Sequence, residues 1–292
     1  MASTDGYLVV DKPAGWTSHD VVARCRRLLG TRRVGHAGTL DPDATGVLVL
    51  GVGRATRLLR YASSLPKCYV GEVVLGVATT TLDASGEVTG RVDMGEVDLG
   101  AVRQAALGFT GRIEQVPPMV SALKVGGRRL HALAREGTEV ERAPRPVEVM
   151  RLEVYESGEP SVFRLLVECS SGTYVRVLAA DLGARLGGLA HLRALRRLSV
   201  GSFTASEAVA LEEVSMERVK PPAGLVRDLQ SARLSPELAT RIGQGKTIER
   251  NPLGLTGEGP WALLDEAGEL VAVAVPRGHD RLQPVVVLQA AS

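Results

Sequence analysis

Thirteen residues, 34–46, read Val-Gly-His-Ala-Gly-Thr-Leu-Asp-Pro-Asp-Ala-Thr-Gly. Three glycines and a proline in so short a stretch predict a loop whose backbone turns sharply. The loop lies between an arginine-rich segment, residues 24–33, and an apolar run, residues 45–52, that is suited to a buried strand. We therefore expect a carboxylate, Asp41 or Asp43, to be held rigidly at the mouth of a basic cleft. Two other interpretations stay open: both aspartates only cap turns, or they form the paired acids of a hydrolase.

The positive charge of the chain is concentrated in two segments. The 292 residues carry a formal net charge of +2. Residues 24–60 contain eight arginines and two aspartates, a local charge of +6, and residues 176–197 contain five arginines and one aspartate, a local charge of +4. Because guanidinium groups pair bidentately with phosphate, this distribution favours a face that binds a polyanion. The alternative is ordinary charge on the surfaces of helices.

Composition indicates a folded, soluble protein. Hydrophobic residues make up 45% and charged residues 23%, which are ordinary values for globular chains. No apolar run reaches the ~18 residues that a membrane span needs, and the first residues lack the features of a signal peptide, so we expect a cytoplasmic protein without a membrane partner. Cys25, Cys68 and Cys169 lie far apart and are expected to be free thiols. The histidines show no metal-binding spacing, so no metal is expected.

Strand and helix patterns alternate irregularly along the first 220 residues. Apolar runs predict strands at 7–10, 45–52, 67–77, 147–155 and 161–169, and helical spacing predicts helices at 18–29, with Ser18 as the N-cap, and at 174–186. The strict alternation of a doubly wound fold is missing, so the class expected is α+β with a mixed or antiparallel sheet. Residues 220–224, Lys-Pro-Pro-Ala-Gly, have the composition of a linker.

A glycine pattern at residues 51–56, Gly-Val-Gly-Arg-Ala-Thr, is similar to the fingerprint of a dinucleotide-binding fold. Two observations argue against that function. Thr56 stands where the third glycine belongs, and Glu72, at the distance of a ribose-binding acid, lies inside an alternating strand pattern. The glycines are better explained by a tight turn between a strand and a helix. No nucleotide cofactor is therefore expected.

Five ordered motifs give the chain a resemblance to a known family. Residues 35–46 resemble the catalytic-aspartate motif of the TruB family of tRNA pseudouridine synthases. Four further segments match that family in the same order: Asp-Lys-Pro at 11–13; Lys-x-Tyr at 67–69 with Thr-x-Thr-x-Asp at 79–83; Gln-Val-Pro-Pro at 115–118; and Cys-Ser-Ser-Gly-Thr-Tyr-Val-Arg at 169–176 with Leu-Arg-Arg-Leu at 195–198. The resemblance covers roughly residues 7–205.

The resemblance implies an enzyme that isomerises uridine 55 in the T loop of tRNA to pseudouridine. The N-glycosidic bond breaks, the uracil rotates and its C5 bonds to C1′, so no cofactor, metal or energy source is needed. The target nucleotide must first leave its stack. The resemblance assigns Asp41 to the reaction centre, where it acts either as a nucleophile or as a base at the sugar.

The same resemblance implies roles for four residues around Asp41. Tyr69 is expected to pack against the flipped base, and Arg176 to pair with Asp41 and keep it ionised. Tyr174 and Leu195 are expected to line the uracil pocket. Without the resemblance, Tyr69 would be interpreted as a core aromatic and Arg176 as a surface arginine of a helix.

Three residues are expected to have supporting roles. His36 is expected to fill the space that the flipped base leaves or to contact the loop, and a purely structural histidine is the alternative. Lys12 and Pro13 are expected to support the catalytic loop from beneath.

RNA contacts are expected from an insertion at about residues 103–146. Its candidates for phosphate contacts, which position RNA without reading its sequence, are Lys124, Arg128, Arg129 and Arg135. The resemblance further implies a catalytic domain at residues 1–220, which includes the insertion, and a small β-rich RNA-binding domain of PUA-like type at residues 221–292. The expected partner is the T arm of tRNA, bound by a monomer.

Two other functional classes compete with the isomerase. An RNA-binding or tRNA-folding protein without catalysis would not need Asp41, Tyr69 and Arg176 together. A carboxylate-dependent glycosidase would need a second acid placed opposite Asp41. The combination of motifs therefore favours the isomerase.

Overall fold

The computed structural model describes residues 5–121, 123–125, 127–130, 136, 138 and 140–289. Helices α1 to α5 comprise Ser18–Leu28, Leu59–Ser64, Leu99–Leu107, Val175–Arg185 and Pro236–Gly243. Strands β1 to β19 comprise Gly6–Lys12, Val34–Ala37, Thr45–Val52, Lys67–Leu75, Val77–Thr79, Val88–Arg91, Gly111–Gln115, Lys124–Val125, Arg128–Arg129, Arg145–Glu156, Val162–Cys169, Ala190–Val200, Phe203–Thr204, Val209–Ala210, Ser231–Arg233, Ile248–Glu249, Trp261–Leu264, Leu270–Arg277 and Arg281–Val287. Short 3-10 helices occupy Gly53–Leu58, Ala205–Glu207, Leu211–Glu213, Met216–Arg218, Pro222–Val226 and Asn251–Leu253.

A mixed sheet forms the centre of the protein. Within the described residues its strands follow the order β14-β1-β3-β12-β4-β11-β10-β7, with β2 against β3 and β13 against β12. The pairs β1–β14 and β3–β12 are parallel, whereas β1–β3 and β4–β12 are antiparallel. This arrangement confirms the prediction of an α+β fold with a mixed sheet.

Helix α1 begins one residue away from the position that the sequence predicts for its cap. Thr17 is the N-cap: its hydroxyl accepts a hydrogen bond from the Asp20 backbone, and the Asp20 carboxylate accepts one from the Thr17 backbone. The hydroxyl of Ser18, the predicted cap, instead accepts a hydrogen bond from the backbone N–H of Leu40 at 2.9 Å. The start of α1 is thereby attached to the loop that carries Asp41.

A second sheet, with the strand order β15-β17-β18-β19-β16, is formed by residues 231–287. It encloses an apolar cluster of its own around Trp261, Leu263 and Leu282. The β-rich character predicted for the C-terminal region is therefore confirmed.

The proline-rich segment near residue 220 packs against both sheets. Pro222–Val226 forms a 3-10 helix that contacts β1 and β17. Its residues Leu225 and Val226 are buried in one apolar cluster with residues of both sheets, among them Val9, Val49, Val273 and Val286. The predicted linker at residues 220–224 therefore runs into a 3-10 helix whose last residues, Leu225 and Val226, are buried. The prolines prevent regular strand pairing, but the apolar residues that follow them are buried because two sheets meet there.

The variant Leu225→Ala tests this shared cluster. We expect the free energy of unfolding to fall by about 2–5 kcal/mol, because a cavity between two packed sheets collapses only in part. The matched control is Leu107→Ala on α3, where the leucine is 65% exposed and the change should stay within about 0.5 kcal/mol. Urea titration followed by circular dichroism measures both, and equal losses would contradict a core shared by the two sheets.

Candidate active site

A cavity of about 280 Å³ opens beside the loop that carries Asp41. Its walls come from that loop, from β4 and β12, and from residues 170–176 at the start of α4. The predicted site residues among its lining are Asp41, Tyr69, Tyr174, Arg176 and Leu195. Residues separated by more than 150 positions in the chain thus meet at one cavity.

Arg176 joins two carboxylates at this cavity. It is the second residue of α4, and its side chain is 4% exposed. Its Nη1 lies 3.3 Å from Asp41 Oδ2 and 3.0 Å from Asp83 Oδ2, while Nη2 donates to the Val120 carbonyl. The Asp41 side chain remains 41% exposed. One buried guanidinium therefore orients Asp41 and leaves its carboxylate accessible to a ligand.

Asp83 is the second carboxylate that pairs with Arg176, and it was not among the site residues predicted from the sequence. Its carboxylate accepts hydrogen bonds from the hydroxyls of Thr81 at 2.6 Å and Ser85 at 2.5 Å. Although burial favours the neutral form, the hydrogen bonds from Ser85, Thr81 and Arg176 hold the pKa of Asp83 below its usual value. The Thr-x-Thr-x-Asp spacing was visible in the sequence, but the contact with Arg176 joins residues 93 positions apart.

Asp41 experiences opposing influences on its ionisation. Burial raises its pKa, and the charges of Asp83 and Asp43 act in the same direction. The cations Arg176 and Lys12 oppose this rise. The result is a carboxylate that is more basic than a free aspartate and has two cations that favour its ionised form.

Lys12 lies beneath the catalytic loop and is buried. Its Nζ donates to three carbonyls, those of Pro13 at 2.9 Å, Trp16 at 2.6 Å and Pro42 at 2.7 Å. Burial lowers the pKa of Lys12 to about 8, although the carboxylates of Asp43 and Asp41 oppose the change. The structure thus places Lys12 and Pro13 under the residue that follows Asp41.

Arg197 holds the other side of the loop and was not among the predicted site residues. It is 1% exposed on β12, and it donates from Nε to the Val47 carbonyl at 2.7 Å and from Nη2 to the Gly38 carbonyl at 3.2 Å. The strand register places Arg197 beside Gly46 on β3 and opposite Tyr69 on β4. The sequence showed a Leu-Arg-Arg-Leu motif, but a pair of arginines does not reveal which one is buried.

Two tyrosines complete the wall. Tyr69 is buried on β4, and burial raises the pKa of its hydroxyl. Tyr174 precedes α4, where the side-chain amide of Gln115 donates to its carbonyl at 3.3 Å and accepts from its N–H at 3.0 Å. Burial also raises the pKa of the Tyr174 hydroxyl. Both hydroxyls therefore remain protonated in neutral solution.

His36 lies outside this cavity. It belongs to β2, packs edge-on against the ring of His19 at 5.4 Å, and has its pKa lowered to about 4 by burial. It lines a separate arginine groove together with Arg26, Arg32, Arg33, Arg54 and Arg57. Five of the eight arginines of the +6 segment therefore line one groove.

The second arginine-rich segment, residues 176–197, is mostly engaged in contacts within the protein. Four of its five arginines are engaged within the protein. Arg176 and Arg197 are buried, and the ion pairs of the other two are Arg193 with Glu72 and Glu159, and Arg196 with Asp11. The prediction that residues 176–197 contribute a polyanion-binding face is therefore wrong for Arg176 and Arg197, which are buried. It stays a prediction for Arg193 and Arg196, whose side chains are partly exposed.

The RNA-binding candidates of the insertion lie on a hairpin. Lys124 pairs with Arg129 across the strands β8 and β9. Arg128 is exposed and forms an ion pair with Glu136 at 2.5 Å. Arg135 lies outside the described residues.

The remaining chemical features are simple. Cys25, Cys68 and Cys169 are free, as predicted. Among the described side chains, no group of three or more His, Cys, Asp or Glu residues is arranged to hold a metal ion. None of the described helices has both the length and the apolar character to cross a bilayer.

Comparison with protein families decides the relationship. A model described as TruB family pseudouridylate synthase (N terminal domain) matches residues 26–175, which is more than half of the chain. A second, described as tRNA pseudouridylate synthase B C-terminal domain, matches residues 176–223. The chain belongs to the TruB family of pseudouridylate synthases. The two matches meet between Val175 and Arg176. Residues from both matched ranges line the cavity described above, among them Asp41 from the first and Arg176 from the second.

Known relatives agree with this membership. A tRNA pseudouridine synthase B from Thermobifida fusca (strain YX) is 48% identical over 292 residues, covering 97% of this chain and 98% of the relative. Another from Rhodococcus jostii (strain RHA1) is 47% identical over 299 residues, covering 98% and 95%. The crystal structure of a Cbf5-Nop10-Gar1 complex matches with a TM-score of 0.76 at 25% identity, covering 97% of this chain and 84% of that one. The resemblance to the TruB family inferred from the five motifs is confirmed.

The variant Gly46→Ala tests the contact between the catalytic loop and β12. Gly46 has φ +103°, and a Cβ there would lie 2.1 Å from the Arg197 carbonyl oxygen. Alanine must push β3 away from β12, so the loss of stability should exceed the ~1–2 kcal/mol of left-handed strain alone. The control is Gly15→Ala, where φ is +77° and no described atom lies within 4 Å of the added carbon. Thermal unfolding compares the two variants, and equal destabilisation would show that the close approach is unimportant.

Proposed function

We propose that this protein isomerises uridine 55 in the T loop of tRNA to pseudouridine. The observation that carries the proposal is Asp41, held by Arg176 at the mouth of a cavity that Tyr69 and Leu195 line. The relatives named tRNA pseudouridine synthase B support the substrate class. Substrate and product contain the same atoms, so the proposal includes no cofactor.

The target nucleotide enters the cavity after leaving its stack. Extrusion costs a few kcal/mol, which contacts with the extruded base must offset. The buried ring of Tyr69 and the side chain of Leu195 offer apolar surface for this purpose. Asp41 then lies beside the ribose of the same nucleotide.

Asp41 acts on the sugar in its ionised form. As a nucleophile it bonds to carbon, and as a base it removes a proton, and both roles need an unprotonated carboxylate. Arg176 favours that form and fixes the direction of the carboxylate. Tyr69, whose hydroxyl stays protonated, is available as a hydrogen-bond donor to the uracil.

RNA contacts extend beyond the cavity. We assign phosphate binding to the arginine groove around His36 and to the insertion hairpin that carries Arg128. We further propose a catalytic domain of residues 1–220 and an accessory RNA-binding domain of residues 221–292, which act together as a cytoplasmic monomer on the T arm.

The variant Asp41→Asn tests the catalytic assignment. Asparagine keeps the size of the side chain but removes its charge, so neither nucleophilic attack nor base catalysis survives. We expect single-turnover formation of pseudouridine in an unmodified tRNA transcript to fall below detection, with tRNA binding unchanged. The matched control is Asp43→Asn in the exposed part of the same loop, which should stay active. Substantial turnover by the Asp41 variant would contradict the assignment, and equal loss in both would favour the paired-carboxylate alternative.

Salt dependence tests the arginine groove. Each phosphate that an arginine neutralises releases counterions, so the logarithm of affinity should fall with the logarithm of salt concentration by about 0.7 per contact on single-stranded regions. The combined variant Arg32→Gln/Arg33→Gln should show a shallower slope than the unchanged protein in a fluorescence binding titration. An identical slope would remove these arginines from the RNA-binding surface.

A further inference from the structure

Lys67 is a buried cation that the chemistry above does not use. It is 5% exposed, begins β4 and lines the cavity two residues before Tyr69. Its Nζ donates to the backbone carbonyls of Ser63 and Leu65, both at 2.6 Å. An ammonium group has three donors. Since the described residues supply two acceptors, one N–H of Lys67 has no acceptor among them.

The charge of Lys67 has no carboxylate partner among the described residues. The charged or ionisable neighbours that act on it are Arg197 from β12 and the thiol of Cys169 from β11. Burial, together with Arg197, lowers the pKa of Lys67 to about 8, so the ammonium form still predominates in neutral solution. Buried lysines are rare unless they are paired, because desolvation of the charge is costly. The site therefore maintains an uncompensated cation at the cavity wall.

A second cation lies next to it. A Cβ built on Gly38 would lie 3.8 Å from Lys67 Cε and 3.7 Å from Arg197 Nη1, so both side chains lie under the same glycine of the catalytic loop. Asp41, the nearest carboxylate along that loop, is paired with Arg176. The cavity thus has one wall where Arg176 is paired with carboxylates and one wall that carries two positive charges.

The proposed reaction creates a negative charge on the base. When the C1′–N1 bond breaks, its electron pair stays with the uracil, whose charge is shared by N1, O2 and O4. Asp41 meets the electron deficiency at the sugar. The electron pair at C5 then forms the bond to C1′, C5 loses a proton and N1 gains one. The product has the atoms and the charge of the substrate.

We propose that Lys67 donates a hydrogen bond to an oxygen of the detached uracil and, with Arg197 behind it, stabilises the anion. The inference rests on the proposed function. Donors that are fixed in place before the reaction, and that point to where charge develops, lower the barrier because they need no reorganisation. The carbonyls of Ser63 and Leu65 fix the ammonium in this way. Lys67 is therefore a catalytic residue. Arg197 does not contact the base and contributes only its positive charge behind Lys67.

The variant Lys67→Gln tests the role of the charge. Its amide keeps a donor for the carbonyls but has no charge, so single-turnover pseudouridine formation at saturating enzyme should fall by about 100-fold. Thermal unfolding and tRNA affinity should remain close to those of the unchanged protein. If the unchanged protein forms no pseudouridine, the proposed function and this inference both fail. If it is active and Lys67→Gln is equally active, the inference alone fails.

A second substrate separates charge stabilisation from a structural role. A transcript with 5-fluorouridine at the target position yields a more stable base anion, because fluorine withdraws electrons. The rate at which N-glycosidic 5-fluorouridine disappears is measured by nuclease digestion and chromatography. Lys67→Gln should reduce this rate by a smaller factor than it reduces the rate on uridine. The fold-loss on each substrate is the ratio of the rates of the same two proteins. The folded fraction of the variant lowers both ratios equally, so the comparison between substrates does not depend on it. An equal fold-loss on uridine and 5-fluorouridine would overturn the proposal.

Discussion

Helix α4 holds Arg176 almost out of contact with water, and a guanidinium in that environment needs anionic partners. Asp41 and Asp83 supply them from two loops that are distant in the chain. If either carboxylate were absent, Arg176 would lose one of its two anionic partners. The loop of Asp41, the turn of Asp83 and the start of α4 therefore depend on one another, and the cavity exists only where the three meet.

The sequence was most informative where local chemistry decides the structure. Glycines and proline predicted the turn that carries Asp41, because left-handed backbone and tight turns require those residue types. The loop predicted at residues 34–46 is nevertheless shorter in the structure, since residues 34–37 form β2 and β3 begins at Thr45. The α+β class followed from the irregular order of strand and helix patterns. The placement of Arg176 beside Asp41 required family resemblance, since no local pattern joins residues so far apart.

Burial and strand register were the properties that the sequence concealed. Arg196 and Arg197 are neighbours of the same type, yet the first pairs with Asp11 and the second is enclosed under the catalytic loop. Counting charge likewise gave similar weight to two arginine-rich segments, of which one forms a groove and the other is largely engaged inside the protein. Composition also predicted a linker at residues 220–224 but not the burial of Leu225 beside it, because the partners of Leu225 in its apolar cluster include Val9, more than 200 residues earlier, and Ala262 and Val273, 37 and 48 residues later.

Residues 220–224 carry the composition that proteases commonly cut between domains, and the buried residues that follow them anchor this segment. Leu225 and Val226 must leave a cluster built from both sheets before the chain can enter a protease. Opening this segment therefore exposes apolar surface of β1 and β18 at the same time. Nicking at this point would report the opening of the whole molecule, and the rate of cleavage would track the stability of the protein instead of the motion of a hinge.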